Sequence, residues 1–292
     1  MAGQESHAHS SDQTSDHRRF NKGNGPRGIL ATSTPETGSG VHLEPMRIPR
    51  PAVVAVVAVA AVALGAFVTE TVHASRIEAD LSTRIGGPAT PGSAPPSVMI
   101  GGGPGSRWVG PDTLASAAIR IEGVERPGLG PVAVEARATD VLVPDDPAAP
   151  PIAGESTVSV QITGDSLGPA LGMRDVLVGA ADDPSLAGGT EHRARVTGTL
   201  EGSDVRVSAF VDLVVDTHGA RLVPVAPATG PAGFPDGDGE LALRRTALTL
   251  EPDVLPLGAT VDTLTVTGGT ITAAGTVAAG GAPLDGLARP GH

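Results

Sequence analysis

Gly164-Asp165-Ser166-Leu167-Gly168 is where the residue types of this chain come nearest to a reactive centre. The run satisfies the pattern G-x-S-x-G, in which a sharp strand-to-helix turn presents a serine hydroxyl for attack on an acyl carbon. An alternating stretch, residues 158–162, precedes it, and a helical-looking stretch, residues 167–171, follows. A serine nucleophile needs a base to take its proton and an acid to orient that base. Downstream, the histidines are His192, His218 and His292, and Asp216-Thr217-His218 reads as a turn after a strand. The plainer reading is a strand end where Asp165 or Ser166 caps a short helix.

Other constellations are weaker still. The tetrapeptide Gly164-Asp165-Ser166-Leu167 spells a motif of some lipases and esterases, but their late Asp-x-x-His is missing here. Asp236-Gly237-Asp238-Gly239-Glu240 opens like a calcium loop, yet its twelfth position is Ala247, where the loop needs an acid. That stretch reads as a solvated turn. Gly101-Gly102-Gly103-Pro104-Gly105 is rich in glycine without a following helix to cradle a phosphate. His7, His9, His17 and His42 are too irregularly spaced for a metal tract. No metal site and no cofactor is expected.

Composition narrows the classes further. The 292 residues contain no cysteine, so thiolate catalysis, thiolate metal sites and disulfides are excluded. There are four Phe, one Trp and no Tyr, against 40 Gly and 27 Pro. A core must therefore be filled with Val, Leu, Ile and Ala. The formal net charge is −12, with the acidic excess falling after residue 51. Such a surface repels polyanions, so nucleic acid is not an expected partner.

The element that must position everything else is the run AVVAVVAVAAVALGAFV, residues 52–68. It carries no charge, and its length as a helix, roughly 26 Å, approaches the thickness of a bilayer's hydrocarbon core. Pro51 sits where a first helical turn accepts proline. The reading is a retained signal anchor, one transmembrane helix over residues 51–72. The alternative is a cleaved signal peptide, with Val72-His73-Ala74 as the small-residue site. Arg18-Arg19-Phe20 lies too early for a twin-arginine signal. Residues 1–50 are polar, without apolar periodicity, and read as a disordered cytoplasmic tail. Arg47 and Arg50 balance Arg76 and Arg84, while Arg18, Arg19, Lys22 and Arg27 tip the tail inwards. The C-terminal domain is then extracytoplasmic, on a single-pass protein of the cell membrane.

Residues 73–97 read as a juxtamembrane amphipathic helix and a Gly/Pro linker. Ile77, Leu81 and Ile85 recur on one helical face, separated by charged residues, and Gly86-Gly87-Pro88 ends the helix. That stripe must bury against the following domain or the membrane surface. Residues 98–288 alternate with period two, as in Val132, Val134, Ala136 and Ala138, or Val158, Val160 and Ile162. The longest case runs from Val205 through Val207, Ala209, Val211 and Leu213 to Val215. Period two predicts half-buried antiparallel strands, about nine of them, with one short helix at residues 167–171. Turns are expected at Pro144-Asp145-Asp146-Pro147, at Asp182-Asp183-Pro184 and around Pro235. Leu241 and Leu243 share one parity, Leu248 and Leu250 the other, so a bulge or turn is expected across Arg244-Arg245. Trp108, the single tryptophan, suits either the core or a membrane interface.

The order of these features resembles a family. The apolar helix leads into Ser75-Arg76-Ile77-Glu78-Ala79-Asp80-Leu81, then Val98-Met99-Ile100-Gly101-Gly102-Gly103-Pro104. Val158-Ser159-Val160-Gln161-Ile162-Thr163 leads into Leu167-Gly168-Pro169-Ala170-Leu171, followed by Val196-Thr197-Gly198-Thr199 and the long strand. This is similar to the actinobacterial LmeA-like family of phospholipid-binding cell-envelope proteins, over about residues 70–280. The resemblance implies an α+β, mostly β fold. It is a curved antiparallel sheet with a helix packed on its concave side, in the style of bactericidal permeability-increasing protein. It also implies phospholipid binding without catalysis. One departure stands out. The family's Ile-x-Gly-Phe-Pro-Phe stretch is Ile100-Gly101-Gly102-Gly103-Pro104-Gly105 here, with neither aromatic ring.

The residues support the same expectation independently. Small aliphatic side chains on an inner sheet face, with few rings to close the space above, leave room for an acyl chain. Sixteen methylenes at about 0.8 kcal/mol each would gain on the order of 10 kcal/mol before ordering costs. The alternative is that the same face packs on itself as a dry sandwich core. The residues expected to line a lipid groove are Ile77, Leu81 and Ile85 from the helix and Val158, Val160, Ile162, Val207, Ala209 and Val211 from strands. The expected function is binding of phospholipid or lipid-linked glycan beside the cytoplasmic membrane. The partners are then lipid, membrane and an envelope-biosynthesis protein. A scaffold domain without lipid is the second reading, and a serine esterase using Ser166 the third.

Overall fold

The structure is a computed structural model, which describes residues 50–86, 94–103, 105–181, 190–228, 239–277 and 280–290. The expected N-terminal tail and its histidines, most of the linker, the Asp182-Asp183-Pro184 turn and the Asp236–Asp238 stretch lie outside those residues.

A single helix, α1 (Arg50–Gly86), contains both helical signals. Nothing in residues 52–86 interrupts it, because there is no proline and the stripe of Ile77, Leu81 and Ile85 continues in helical register. Its two halves have opposite environments. Val54, Val57, Leu64, Phe67 and Val68 are all more than half exposed, while Leu81 and Ile85 are 1% exposed within the core.

The rest is antiparallel β-structure in two sheets. The first, a curled half-barrel, runs β1 (Ser97–Ile100), β2 (Thr113–Val124), β3 (Val132–Leu142), β5 (Glu155–Ile162), β12 (Thr270–Thr276) and β11 (Thr263–Thr267). Two short strands, β4 (Ile152–Ala153) and β13 (Ala282–Pro283), extend it beside β3. The second sheet runs β10 (Leu248–Thr249), β9 (Gly219–Pro227), β8 (Arg206–Asp216), β7 (Arg193–Leu200) and β6 (Met173–Ala180). The two meet where the β11–β12 hairpin approaches β6, β7 and β8.

The alternation seen in the sequence sets which side chains enter the core. Val158, Val160 and Ile162 on β5 are fully buried, as are Ile271 and Ala273 opposite them on β12. On β8, Val207, Ala209, Val211 and Leu213 point inward, and Ala194 and Val196 on β7 join them. One apolar cluster contains residues from both sheets and the foot of α1. The outward positions carry cross-strand polar pairs. Arg193 bridges to Asp212 directly opposite it, and Arg120 reaches Glu135 opposite it on β3 as well as Glu122 on its own strand.

Two short helices complete the fold. α2 (Gly164–Leu171) links β5 to β6, so the expected helix at residues 167–171 exists and begins three residues earlier. α3 (Gly239–Thr246) covers β8 and β9 and replaces the strand expected at Leu241 and Leu243. Its buried positions are Ala242 and Thr246, four apart, so the parity slip at Arg244-Arg245 marks a helix end.

Candidate functional site

At the foot of α1 the chain builds a small apolar pocket of about 150 Å³. Ala74, Ile77, Ile100 and Leu114 form its wall. Glu70, His73, Arg107 and Trp108 stand around it. Helical spacing explains the α1 contribution: residues 70, 73, 74 and 77 share one face. The opposite wall comes from the end of β1, the loop that follows, and the start of β2.

That loop is held against the helix by named bonds. The Gly105 N–H donates to Glu70 Oε1 at 2.8 Å, and Arg107 Nη1 donates to the Glu70 carbonyl at 3.3 Å. The Ile100 N–H donates to Glu78 Oε1 at 3.1 Å. Further along, Ser82 Oγ donates to the Pro96 carbonyl at 2.6 Å, and Arg84 Nη1 to the Pro144 carbonyl at 2.8 Å. The glycines of the loop permit this approach. A Cβ on Gly101 would stand 2.1 Å from Ser116 Oγ, and Gly102 takes φ +96°, which disfavours any side chain. This is the segment that lacks the two aromatic rings. Trp108, 37% exposed, lines the pocket three residues after Gly105.

The nine residues expected in a groove fall into two environments. Ile77 lines the pocket and is partly buried. Leu81 and Ile85 continue its stripe beyond the pocket floor and are sealed against the domain. Val158, Val160, Ile162, Val207, Ala209 and Val211 lie deeper, 0–3% exposed, in the same cluster. The structure thus joins all nine through one apolar interior, and of the nine it is Ile77 that lines the pocket. Sequence reasoning missed Glu70, Ala74, Arg107 and Leu114. Glu70 did carry a signal, as the first charged residue after Arg50.

Ser166 occupies a different setting. It is 1% exposed, and its hydroxyl donates to the Pro131 carbonyl and pairs with Thr163 Oγ1 at 3.0 Å. Thr163 is the N-cap of α2, accepting from the Ser166 N–H, so the capping residue is Thr163 and not Asp165 or Ser166. Among the described residues the hydrogen-bond partners of the Ser166 hydroxyl are Pro131 and Thr163, neither of them a histidine or a carboxylate. Asp216 Oδ1 accepts from the His218 backbone N–H at 2.7 Å, which is an Asx turn between β8 and β9. That bond and the nearby Arg221 guanidinium hold the Asp216 carboxyl below its ordinary value. Arg126 is 5% exposed, donates to the Leu287 carbonyl, and is held below the usual guanidinium range by desolvation, which Asp253 opposes. Among the described residues no group of three or more His, Asp or Glu side chains could hold a metal ion.

A β-rich domain carried on a long apolar helix, with an apolar pocket where the two meet, defines the class of protein. The helix is long and apolar enough to cross a membrane. The chain belongs to the LmeA-like phospholipid-binding family, whose model matches residues 60–276. That match spans α1 from within its apolar half through β12, and so includes the pocket. No curated protein and no solved structure matches the chain. Membership of this family supports lipid binding.

Proposed function

We propose that this is a membrane-anchored cell-envelope protein whose outer domain binds phospholipid or lipid-linked glycan without catalysis. The observation that carries the proposal is α1 itself, one unbroken helix with an exposed apolar half and a docked half that walls an apolar pocket. In this reading residues 51–72 span the cytoplasmic membrane once. The basic residues before them hold the N-terminus inside, and the β domain lies outside. An envelope-biosynthesis protein is the further partner to which lipid would pass.

Magnitudes define how lipid would sit. A cavity of about 150 Å³ holds a benzene-sized guest, so the open pocket takes the last few carbons of a chain and no more. A whole acyl chain needs the seam between α1 and the domain to open along Ile77, Leu81 and Ile85. Two fully buried aliphatic side chains at about 1.5–3 kcal/mol each hold that seam. A few hydrogen bonds at about 1 kcal/mol each add to them. The sum is comparable with the order of 10 kcal/mol that a long chain gains on burial. An acyl chain and the foot of α1 can therefore compete for the same interior, with Val158, Val160, Ile162, Val207, Ala209 and Val211 as the face both would use.

A second reading, a scaffold domain without lipid, is favoured by one observation: those six strand residues are at most 3% exposed. Native mass spectrometry of the full chain purified in mild detergent separates the two. Phospholipid retained at defined stoichiometry supports the proposal. A folded protein free of lipid, and unable to take it up from vesicles, overturns it.

A further inference from the structure

We infer that the pocket at Ala74 is a lateral portal opening in the headgroup layer of the host membrane. Through it a phospholipid enters chain first, while its phosphate is held at Arg107. This rests on the lipid-binding and membrane-spanning reading above, and adds where the site sits and which groups meet the lipid.

Three observations place the opening. Residues 51–69 carry no charge, and Arg50 to Glu70 is twenty helical steps, roughly 30 Å, the thickness of the hydrocarbon core. Glu70 therefore falls at the boundary, and Glu70 is on the pocket rim. From Glu70 to Ile77 is about 10 Å along the axis, so the pocket runs away from the bilayer towards the core. The loop carrying Trp108 is fixed at that same level by the two bonds to Glu70, from Gly105 and Arg107. Trp108 is partly exposed there and Val109 beside it is 62% exposed. An exposed tryptophan at this depth suits the interface, where its ring lies among headgroups.

Chemistry at the rim matches the polar end of a phospholipid. Among the described residues Arg107 Nε is buried without a hydrogen-bond acceptor, while its Nη1 is occupied by the Glu70 carbonyl. A phosphate oxygen would supply the missing acceptor, as a charge-assisted bond. The Glu70 carboxylate is also at the rim, but it accepts from the Gly105 N–H. Below them Ile77, Ile100 and Leu114 offer only carbon to the tail.

Trp108 is the only tryptophan in a chain without tyrosine, so its emission has a single source. The full chain is reconstituted in phosphatidylcholine vesicles containing lipid brominated either near the glycerol end or near the chain terminus. The result expected is strong quenching by the first lipid and weak quenching by the second. Ala74→Phe, which fills the pocket, should keep that quenching pattern and lose several-fold of the co-purifying lipid. Arg107→Gln should lower retention of phospholipid several-fold while leaving uptake of an uncharged diacylglycerol intact. Absence of quenching by either lipid overturns the placement, even where native mass spectrometry still finds bound phospholipid. Full lipid content in Ala74→Phe, or in Arg107→Gln, overturns the portal. A wild-type protein that carries and takes up no lipid overturns the underlying reading, and the portal with it.

Discussion

Glu78 Oε1 accepts a hydrogen bond from the Ile100 N–H across 3.1 Å, tying the middle of the docked half of α1 to the end of β1. β1 is an edge strand of its sheet, and the helix occupies the donor at its end. Glu78→Ala is expected to cost about 1–2 kcal/mol of local stability. The amide of Ile100 should then exchange its hydrogen faster, with the interior strands unchanged. Unchanged exchange at Ile100 would show that the contact does not hold the helix.

Leu81, like Ile85, is an α1 side chain only 1% exposed in the domain core. Leu81→Ala is expected to lose about 2–5 kcal/mol, the range for a truncated core leucine. Chemical denaturation in detergent measures it. A loss below about 1 kcal/mol would mean that the foot of the helix is not part of the cooperative core.

Gly164, the first residue of α2, packs directly on β6. A Cβ there would lie 1.8 Å from the Val176 carbonyl oxygen, far inside any non-bonded contact distance. Gly164→Ala should therefore force α2 off β6 and destabilise by about 3 kcal/mol or more. A melting temperature equal to wild type would refute the packing described.

Ser166→Ala separates structure from catalysis. The hydroxyl donates to the Pro131 carbonyl inside the fold, so its removal is expected to cost about 1–3 kcal/mol. Lipid content should not change, and a fluorophosphonate probe should not label the wild-type serine. Covalent labelling at Ser166 would reopen the esterase reading.

The Asp216 carboxyl titrates below its ordinary value, first because the His218 N–H bonds it and then because of Arg221. A carboxyl depressed on folding contributes stability that is complete above the unfolded value and lost as pH falls through the folded one. Carbon NMR of the Asp216 carboxyl should show that low midpoint, and Arg221→Ala should raise it. A midpoint at the ordinary aspartate position would contradict the turn geometry.

Six of the longer strands, β2, β3, β5, β7, β8 and β12, were legible because their core-facing residues are aliphatic and alternate with polar ones, as on β8. β6 and β9 were not, because Leu177, Val223 and Val225 are aliphatic and exposed, which blurs the alternation. β1, β4 and β13 have two to four residues, too few for a period to show, whereas β10 falls where the Leu248 and Leu250 parity was read. α3 was misread because its leucines, Leu241 and Leu243, are only partly buried, while small Ala242 and Thr246 face inward. The stripe of Ile77, Leu81 and Ile85 was legible from spacing alone. Its partners were not. Arg107 and Leu114 meet Ala74 only after the chain returns through β1, and no local pattern encodes that meeting.

α1 has no proline beyond Pro51 and keeps helical hydrogen bonding to Gly86. Under the proposed anchoring, the β domain stands on a stiff post rather than a tether. It cannot swing out to a distant surface or carry cargo there. Whatever receives a molecule from this protein has to come alongside.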